Sequence, residues 1–78
     1  SIGGMFGVSF WDSETQLAEF DKGSEKIFVK RVTKGNRSYI DIRTFWLDDS
    51  DEWRPSKKGI AVPIELAKDV AEAMLKGL

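Results

Sequence analysis

The chain has 78 residues, which is enough for one domain and too short for two. It contains no cysteine and no histidine, which excludes disulfides, thiolate zinc sites and imidazole general bases. A domain this small has a marginal core, and without disulfides or a structural metal its remaining stability is expected from association. We therefore expect a homodimer.

The formal net charge of −1 conceals an uneven distribution. In residues 1–25, five carboxylates against one lysine give −4, whereas in residues 26–63 nine cations against five carboxylates give +4. The middle of the chain can therefore present a basic face, although a solvated surface of mixed charge explains the same numbers. The sequence has no signal-like segment and no apolar run of membrane-spanning length, so an intracellular location is expected.

The first 23 residues carry weak structural signals. Residues 5–11 are apolar around Gly7 and are typical of an edge strand or an arm. Residues 12–23 are polar and acidic, and favour at most a helical turn at residues 16–19. Residues 1–4 precede the first methionine and are set aside from the fold prediction as a tag.

The clearest local structure is a hairpin. Alternating patterns over residues 26–33 and 38–46 predict two strands, joined by a turn at residues 34–37 in which Gly35 and Asn36 tolerate positive φ. The alternation predicts two faces for the second strand, with Ile40, Ile42 and Thr44 on one and Tyr39, Asp41, Arg43 and Phe45 on the other.

The second half of the chain predicts further strands and one helix. After a polar turn at residues 48–51, a short strand is expected at residues 52–54, an interruption at Pro55, and another strand at residues 59–62. Pro63 is expected at the first helical position and Gly77 at the helix end. The helix carries one apolar stripe, formed by Ala67, Val70, Ala71, Met74 and Leu75. The stripe either covers the chain's own sheet or also packs on a second copy. The order of elements predicts an α+β fold with an antiparallel sheet.

Aromatic residues are the most informative part of the composition. Three tryptophans, five phenylalanines and one tyrosine are too many for a small core to hide easily. Over residues 26–58 they interleave with lysines and arginines, as expected for a surface whose cations hold phosphates and whose rings stack on unpaired bases. The alternative interpretation, that the phenylalanines and Trp53 are core residues, remains open at this point.

The sequence offers no clear catalytic or metal site. The acidic run at residues 48–52 lacks the glycine that a calcium loop needs at its sixth position, where Trp53 or Arg54 stands instead. A solvated turn is the better interpretation, and no activating base accompanies any serine or carboxylate for nucleophilic or nuclease chemistry. We expect no enzyme activity, no metal and no cofactor.

One part of the sequence follows a specific pattern. It consists of Ile40-Asp41-Ile42-Arg43, two further residues and Trp46, then an acidic turn, then Pro55-Ser56-Lys57-Lys58-Gly59-Ile60, with Phe20 and Gly23 upstream. From Phe20 onward the chain resembles the positive cofactor four family of transcriptional coactivators, which bind single-stranded DNA.

The resemblance implies a curved four-stranded antiparallel sheet, one C-terminal helix, and a dimer formed largely through that helix. It divides the chain into an N-terminal arm at residues 1–19, either a short strand or a disordered acidic segment, and a DNA-binding domain at residues 20–78. It implies DNA contacts by Arg43, Trp46, Lys57 and Lys58, and more loosely by Lys26 and Lys30. Together with the interleaved rings and cations, this gives the predicted nucleic-acid-binding set: Lys26, Phe28, Lys30, Arg43, Phe45, Trp46, Arg54, Lys57 and Lys58. The predicted dimer contacts are Ala67, Val70, Ala71 and Met74.

The expected function is sequence-tolerant binding of single-stranded DNA by a homodimer, in transcription regulation, replication or repair. The alternative is a protein-interaction module whose rings dock on the transcription machinery. The family occurs in eukaryotes, bacteria and phages, and the absence of a long basic or serine-rich tail favours a bacterial or phage-host cytoplasm over a nucleus.

Overall fold

The computed structural model describes residues 10–78 and shows four antiparallel strands followed by one helix. The elements are β1 (Ser13–Lys22), β2 (Glu25–Lys34), β3 (Arg37–Leu47), β4 (Trp53–Pro63) and α1 (Ile64–Lys76). The strands lie in the order β1-β2-β3-β4, so each pairs with its neighbour in sequence. The predicted fold class is confirmed, whereas most of the predicted apolar arm at residues 5–11 lies outside the described residues.

The helical turn predicted at residues 16–19 is wrong, because these residues belong to β1. β1 pairs with β2 from Ser13↔Thr33 to Lys22↔Glu25, with one bulge at Leu17. Its acidic side chains reach lysines on β2, and this tertiary pairing outweighs a weak local preference for helix. The predicted boundary between arm and domain, after residue 19, falls inside this continuous strand.

The central hairpin of β2 and β3 is confirmed. The ladder runs from Lys26↔Phe45 to Lys34↔Arg37 and leaves Gly35 and Asn36 as a two-residue turn. Gly35 has a φ of 61°, which glycine adopts without strain, and its N–H donates to a carboxylate oxygen of Asp12 at 2.7 Å. This contact fixes residues before β1 against the turn.

β4 is one strand where the sequence predicted two short ones. Arg43 pairs with Gly59 and Phe45 with Pro55, so residues 56–58 form a wide bulge opposite Thr44. Inside the bulge, the Ser56 hydroxyl donates to the Thr44 carbonyl at 2.8 Å and accepts from the Lys58 N–H at 3.1 Å. The serine side chain thereby replaces ladder hydrogen bonds, and the strand continues past Pro55.

The end of the bulge requires glycine. A Cβ on Gly59 would lie 2.6 Å from the Ile42 carbonyl oxygen and 2.8 Å from the Arg43 Cα, both of which are backbone atoms that cannot move aside cheaply. Gly59 therefore allows β4 to return to β3 at close range.

The sheet has two faces, which we name after two neighbouring residues of β3. Directly paired residues of antiparallel strands point to the same side. The Phe45 face therefore holds Glu14, Glu19 and Asp21 from β1, Lys26, Phe28, Lys30 and Val32 from β2, Tyr39, Asp41 and Arg43 from β3, and Trp53 and Ala61 from β4. The Trp46 face holds Thr15, Ala18, Phe20 and Lys22, then Glu25, Ile27, Val29 and Arg31, then Ile40, Ile42 and Thr44, then Arg54, Ile60 and Val62. The faces predicted for β3 are confirmed.

Most of the core lies on the Phe45 face. Phe28, Val32 and Phe45 are buried there, and the Phe28 and Phe45 rings meet edge to face with centroids 4.5 Å apart. Trp53 closes the cluster from β4, 6.4 Å from Phe28. The opposite face buries only Thr44 and Val62 among the described residues and leaves Trp46, Phe20 and Ile60 exposed.

The helix α1 begins after Pro63 and is followed by Gly77, close to the prediction. Pro63 stands one position earlier than predicted, at the cap, because it still pairs with Tyr39 in the ladder and keeps an extended ψ of 141°. α1 contacts β3 and β4, yet none of its residues is buried. Ala67 and Val70 of the predicted stripe are half-buried, and Ala71 and Met74 are exposed.

Candidate nucleic-acid interface

The two lysines of β2 that were predicted to hold phosphates form ion pairs with carboxylates of β1. The Lys26 ammonium lies 2.8 Å from Glu19 Oε2 and 3.0 Å from Asp21 Oδ1, and Lys30 lies 2.9 Å from Glu14 Oε1. The hydrogen bond from Lys26 holds the pKa of Glu19 below its usual range, and the bonds to Glu19 and Asp21 raise the pKa of Lys26. These lysines tie β1 to the sheet, and their charges are neutralised within the chain.

The predicted stacking rings Phe28 and Phe45 are core residues. Each is only 7% exposed. The Lys30 ammonium covers the Phe45 ring at 4.7 Å from its centroid, and the Lys26 ammonium lies 5.4 Å from Trp53. A buried ring under a lysine offers no flat surface to a base, so we assign Phe28 and Phe45 to stability and omit them from the interface.

Arg43 uses its donors inside the protein. Its guanidinium forms two hydrogen bonds with the Asp41 carboxylate, Nε–Oδ2 at 3.1 Å and Nη2–Oδ1 at 3.0 Å, and a third with the Ser56 carbonyl at 3.0 Å. Asp41 is only 2% exposed, so the two hydrogen bonds from the Arg43 guanidinium are needed to compensate its charge. Arg43 therefore connects a buried carboxylate to the β4 bulge, and the structure places it on the Phe45 face.

Trp46 lies on the opposite face and is 46% exposed. Its ladder partner on β4 is Arg54, whose Nε donates to Asp48 Oδ2 at 2.6 Å. The hydrogen bond from Arg54 makes the largest contribution to lowering the pKa of Asp48, and hydrogen bonds from the backbone N–H groups of Glu52 and Ser50 lower it further. Although they are adjacent in sequence, Phe45 and Trp46 serve different sides of the sheet.

The acidic turn after β3 is organised by hydrogen bonds. Asp48 Oδ1 accepts the N–H groups of Ser50 at 2.8 Å and Glu52 at 2.9 Å, and Asp51 has a φ of 63°. Within residues 10–78, no three acidic, histidine or cysteine side chains are grouped to hold a metal ion. The turn fixes Arg54 beside Trp46.

The two lysines of the β4 bulge differ in their partners. Lys58 Nζ lies 3.6 Å from Glu25 Oε2, which places its ammonium over the Trp46 face, where Glu25 lies. Lys57 is exposed and forms no ion pair with a described residue. Both remain candidates for phosphate contacts.

The prediction from sequence missed three residues of the Trp46 face. Arg31 pairs with Ile40, and Phe20 and Lys22 belong to β1. Arg31 and Lys22 form no ion pair with another residue of the described part. The alternation of β2 could have revealed Arg31, because a position opposite Ile40 shares the face of Trp46. The Trp46 face thus holds four cations, which are Lys22, Arg31, Arg54 and Lys58. Arg54 is paired with Asp48 and Glu52, and Lys58 with Glu25, so of these four only Lys22 and Arg31 are without an ion pair among the described residues.

Comparison with known proteins agrees with this geometry. The family described as Transcriptional Coactivator p15 (PC4) matches residues 20–73. A crystal structure of BPSL1147, a PC4 homologue from Burkholderia pseudomallei, is similar with a TM-score of 0.76 and 26% identity, over 88% of this chain and 95% of that one. A bacteriophage T5 homologue of PC4, implicated in recombination-dependent DNA replication, shares the fold with a TM-score of 0.62 and 24% identity, over 81% of this chain and 72% of that one. No curated protein sequence matches significantly.

The region matched by the family extends from the second half of β1 into α1, and it includes the hairpin, the β4 bulge and Trp46. Across residues 10–78, no helix is both long and apolar enough to cross a membrane. Because the family match spans more than half of the sequence, the chain belongs to the PC4 (positive cofactor four) family of transcriptional coactivators.

Proposed function

We propose that this protein binds single-stranded DNA on the Trp46 face of its sheet, as a homodimer, and catalyses no reaction. The observation that carries the proposal is the Trp46 ring, which is 46% exposed on a face that also presents Lys22 and Arg31, neither of them ion-paired with a described residue. Membership in the PC4 family supports the same function.

The composition of this face suits unpaired nucleic acid. An exposed indole stacks on any base, and each stacked base contributes about 1–3 kcal/mol to binding. Lysine and arginine hold phosphates without reading sequence, and each neutralised phosphate adds about 0.7 to the slope of log affinity against log salt. Neither stacking nor phosphate contacts depend on base identity, so the proposed binding tolerates any sequence.

The helix supports the proposed homodimer. Leu66, Met74 and Leu75 of α1 are exposed large apolar side chains, and no residue of α1 is buried. A second copy that covers the stripe of Val70 and its neighbours would add the apolar burial that a small domain lacks. Both sheets would then keep their Trp46 faces available for separate DNA strands.

The relatives support an inference about the cellular role. The T5 homologue is implicated in recombination-dependent DNA replication, and BPSL1147 is bacterial. We infer a role in transcription regulation, replication or repair inside a bacterial or phage-infected cell.

A fluorescence anisotropy titration tests this proposal. Labelled oligo-dT should bind with an affinity that falls steeply with salt, and a duplex of the same length should compete poorly. Trp46→Ala should weaken binding, whereas Leu47→Ala, at an adjacent and equally exposed position, is the matched control. Failure to bind any oligonucleotide would contradict the proposal and favour the alternative, a module that docks its rings on a protein of the transcription machinery.

A further inference from the structure

We propose that Phe20 of β1 forms a second stacking platform, so that one nucleic-acid strand crosses the sheet from Trp46 towards β1. The inference rests on the proposed function, because it extends the same binding face. It assigns to β1, of which the family match covers residues 20–22, a direct part in binding.

The register places both rings on one face. Phe20 pairs with Ile27, Ile27 pairs with Thr44, and Trp46 lies two residues beyond Thr44 on the same side of β3. Two strand spacings of about 4.8 Å and two residues of about 3.4 Å separate the two positions by roughly 12 Å. Bases stacked about 3.4 Å apart would cover that distance in three to four steps. A single strand can therefore reach both rings with a few nucleotides between them.

Phe20 is available to a ligand. Its side chain is 56% exposed, more than that of Trp46, and it stands at the edge strand of the sheet. Phenylalanine offers two flat surfaces for a base, and stacking needs no hydrogen-bonding group on the ring.

The carboxylates of β1 lie on the face opposite Phe20, which favours this path for a nucleic-acid strand. All three carboxylates of the strand, Glu14, Glu19 and Asp21, point to the Phe45 face, and each is bound by Lys26 or Lys30. On the Trp46 face β1 presents Thr15, Ala18, Phe20 and Lys22, none of them acidic.

The alternation of β1 places its carboxylates on the Phe45 face, where Lys26 and Lys30 pair with them. β1 therefore adds no carboxylate to the path between Trp46 and Phe20. Glu25 of β2, the ladder partner of Lys22, lies on the Trp46 face, and its Oε2 is 3.6 Å from the Lys58 ammonium. A phosphate backbone that follows this path meets Lys22, which lies two residues from Phe20 on the same face of β1 and has no ion-pair partner among the described residues.

The test compares two oligonucleotides and two positions on β1. Phe20→Ala should lower the affinity for a twelve-nucleotide oligo-dT by about 5- to 150-fold, the equivalent of one lost stack. It should change the affinity for a three-nucleotide oligo-dT less than about 2-fold, since so short a strand cannot reach both rings. Leu17→Ala is the matched control, because Leu17 is 55% exposed on the same strand and has no ring.

Each outcome decides between the hypotheses. If Trp46→Ala weakens binding and Phe20→Ala behaves like Leu17→Ala, this inference is wrong and the proposed function stands. If neither Phe20→Ala nor Trp46→Ala changes binding, the proposed function fails as well. Phe20→Leu keeps the apolar bulk and controls for folding. A loss of binding restored by leucine, or a dimer in wild type that Phe20→Ala dissociates in sedimentation, would assign Phe20 to packing and overturn the inference.

Discussion

Replacing Phe45 and Trp46 by alanine, one at a time, separates the core from the interface at two adjacent residues. Phe45 is 7% exposed and packs against Phe28, so its truncation should cost about 3–5 kcal/mol of unfolding free energy. A domain of this size has roughly 4–12 kcal/mol in total, at about 0.05–0.15 kcal/mol per residue. Phe45→Ala should therefore lower the denaturant midpoint severely or unfold the protein.

Trp46→Ala should have the opposite profile. Nearly half of the ring is exposed, so the loss of unfolding free energy should be well below that of Phe45→Ala. One lost stack should weaken oligo-dT binding by about 1–3 kcal/mol, which is about 5- to 150-fold in Kd. Far-UV circular dichroism in urea measures folding for both variants, and anisotropy measures binding. Equal destabilisation by both variants, or unchanged affinity in a folded Trp46→Ala protein, would refute the division of the sheet into two faces.

Four further predictions address other parts of the structure. Val70→Asp should dissociate or unfold the dimer, because it places an unpaired charge in the helix contact; a wild-type protein that sediments as a monomer would contradict this. Arg43→Met should destabilise the fold by about 3–5 kcal/mol in urea, since it leaves the buried Asp41 uncompensated; a change below 1 kcal/mol would refute the assigned role. Because Arg54 lowers the pKa of Asp48, the carboxylate stabilises the fold above the ordinary pKa of about 4, and this contribution is lost as pH falls through the lowered value. Asp48→Asn should therefore reduce the difference in urea midpoint between pH 7 and pH 3, and an unchanged difference would contradict the pairing. Lys57→Ala should weaken binding to all sequences alike and reduce the salt slope by about 0.7, and a sequence-dependent loss would exclude a phosphate contact.

The hairpin and the helix were predictable because their signals are local. Alternation with a period of two residues fixes β2 and β3, a glycine with positive φ fixes their turn, and Pro63 and Gly77 bound the helix. β1 was not predictable, because its pairing depends on lysines of the next strand. The continuity of β4 was not predictable either, since it rests on the Ser56 side chain replacing a ladder bond.

The site was predicted in part. The pattern around Trp46 and Lys58 marks residues that the sheet brings to one face together with Arg54. Interleaving along the sequence also selected Phe28 and Phe45, because neighbours in a strand look like one cluster in sequence and yet point to opposite sides. Only the register separates the rings that form the core from those that remain exposed.

Photocross-linking tests the central claim most directly. Oligo-dT substituted with iodouracil would be irradiated with the protein, and the modified peptides mapped by mass spectrometry. The account predicts cross-links at Trp46, and at Phe20 with longer strands, both on the exposed aromatic side of the sheet. Cross-links at Tyr39 or Trp53 without Trp46 would place the nucleic acid on the Phe45 face and contradict the account.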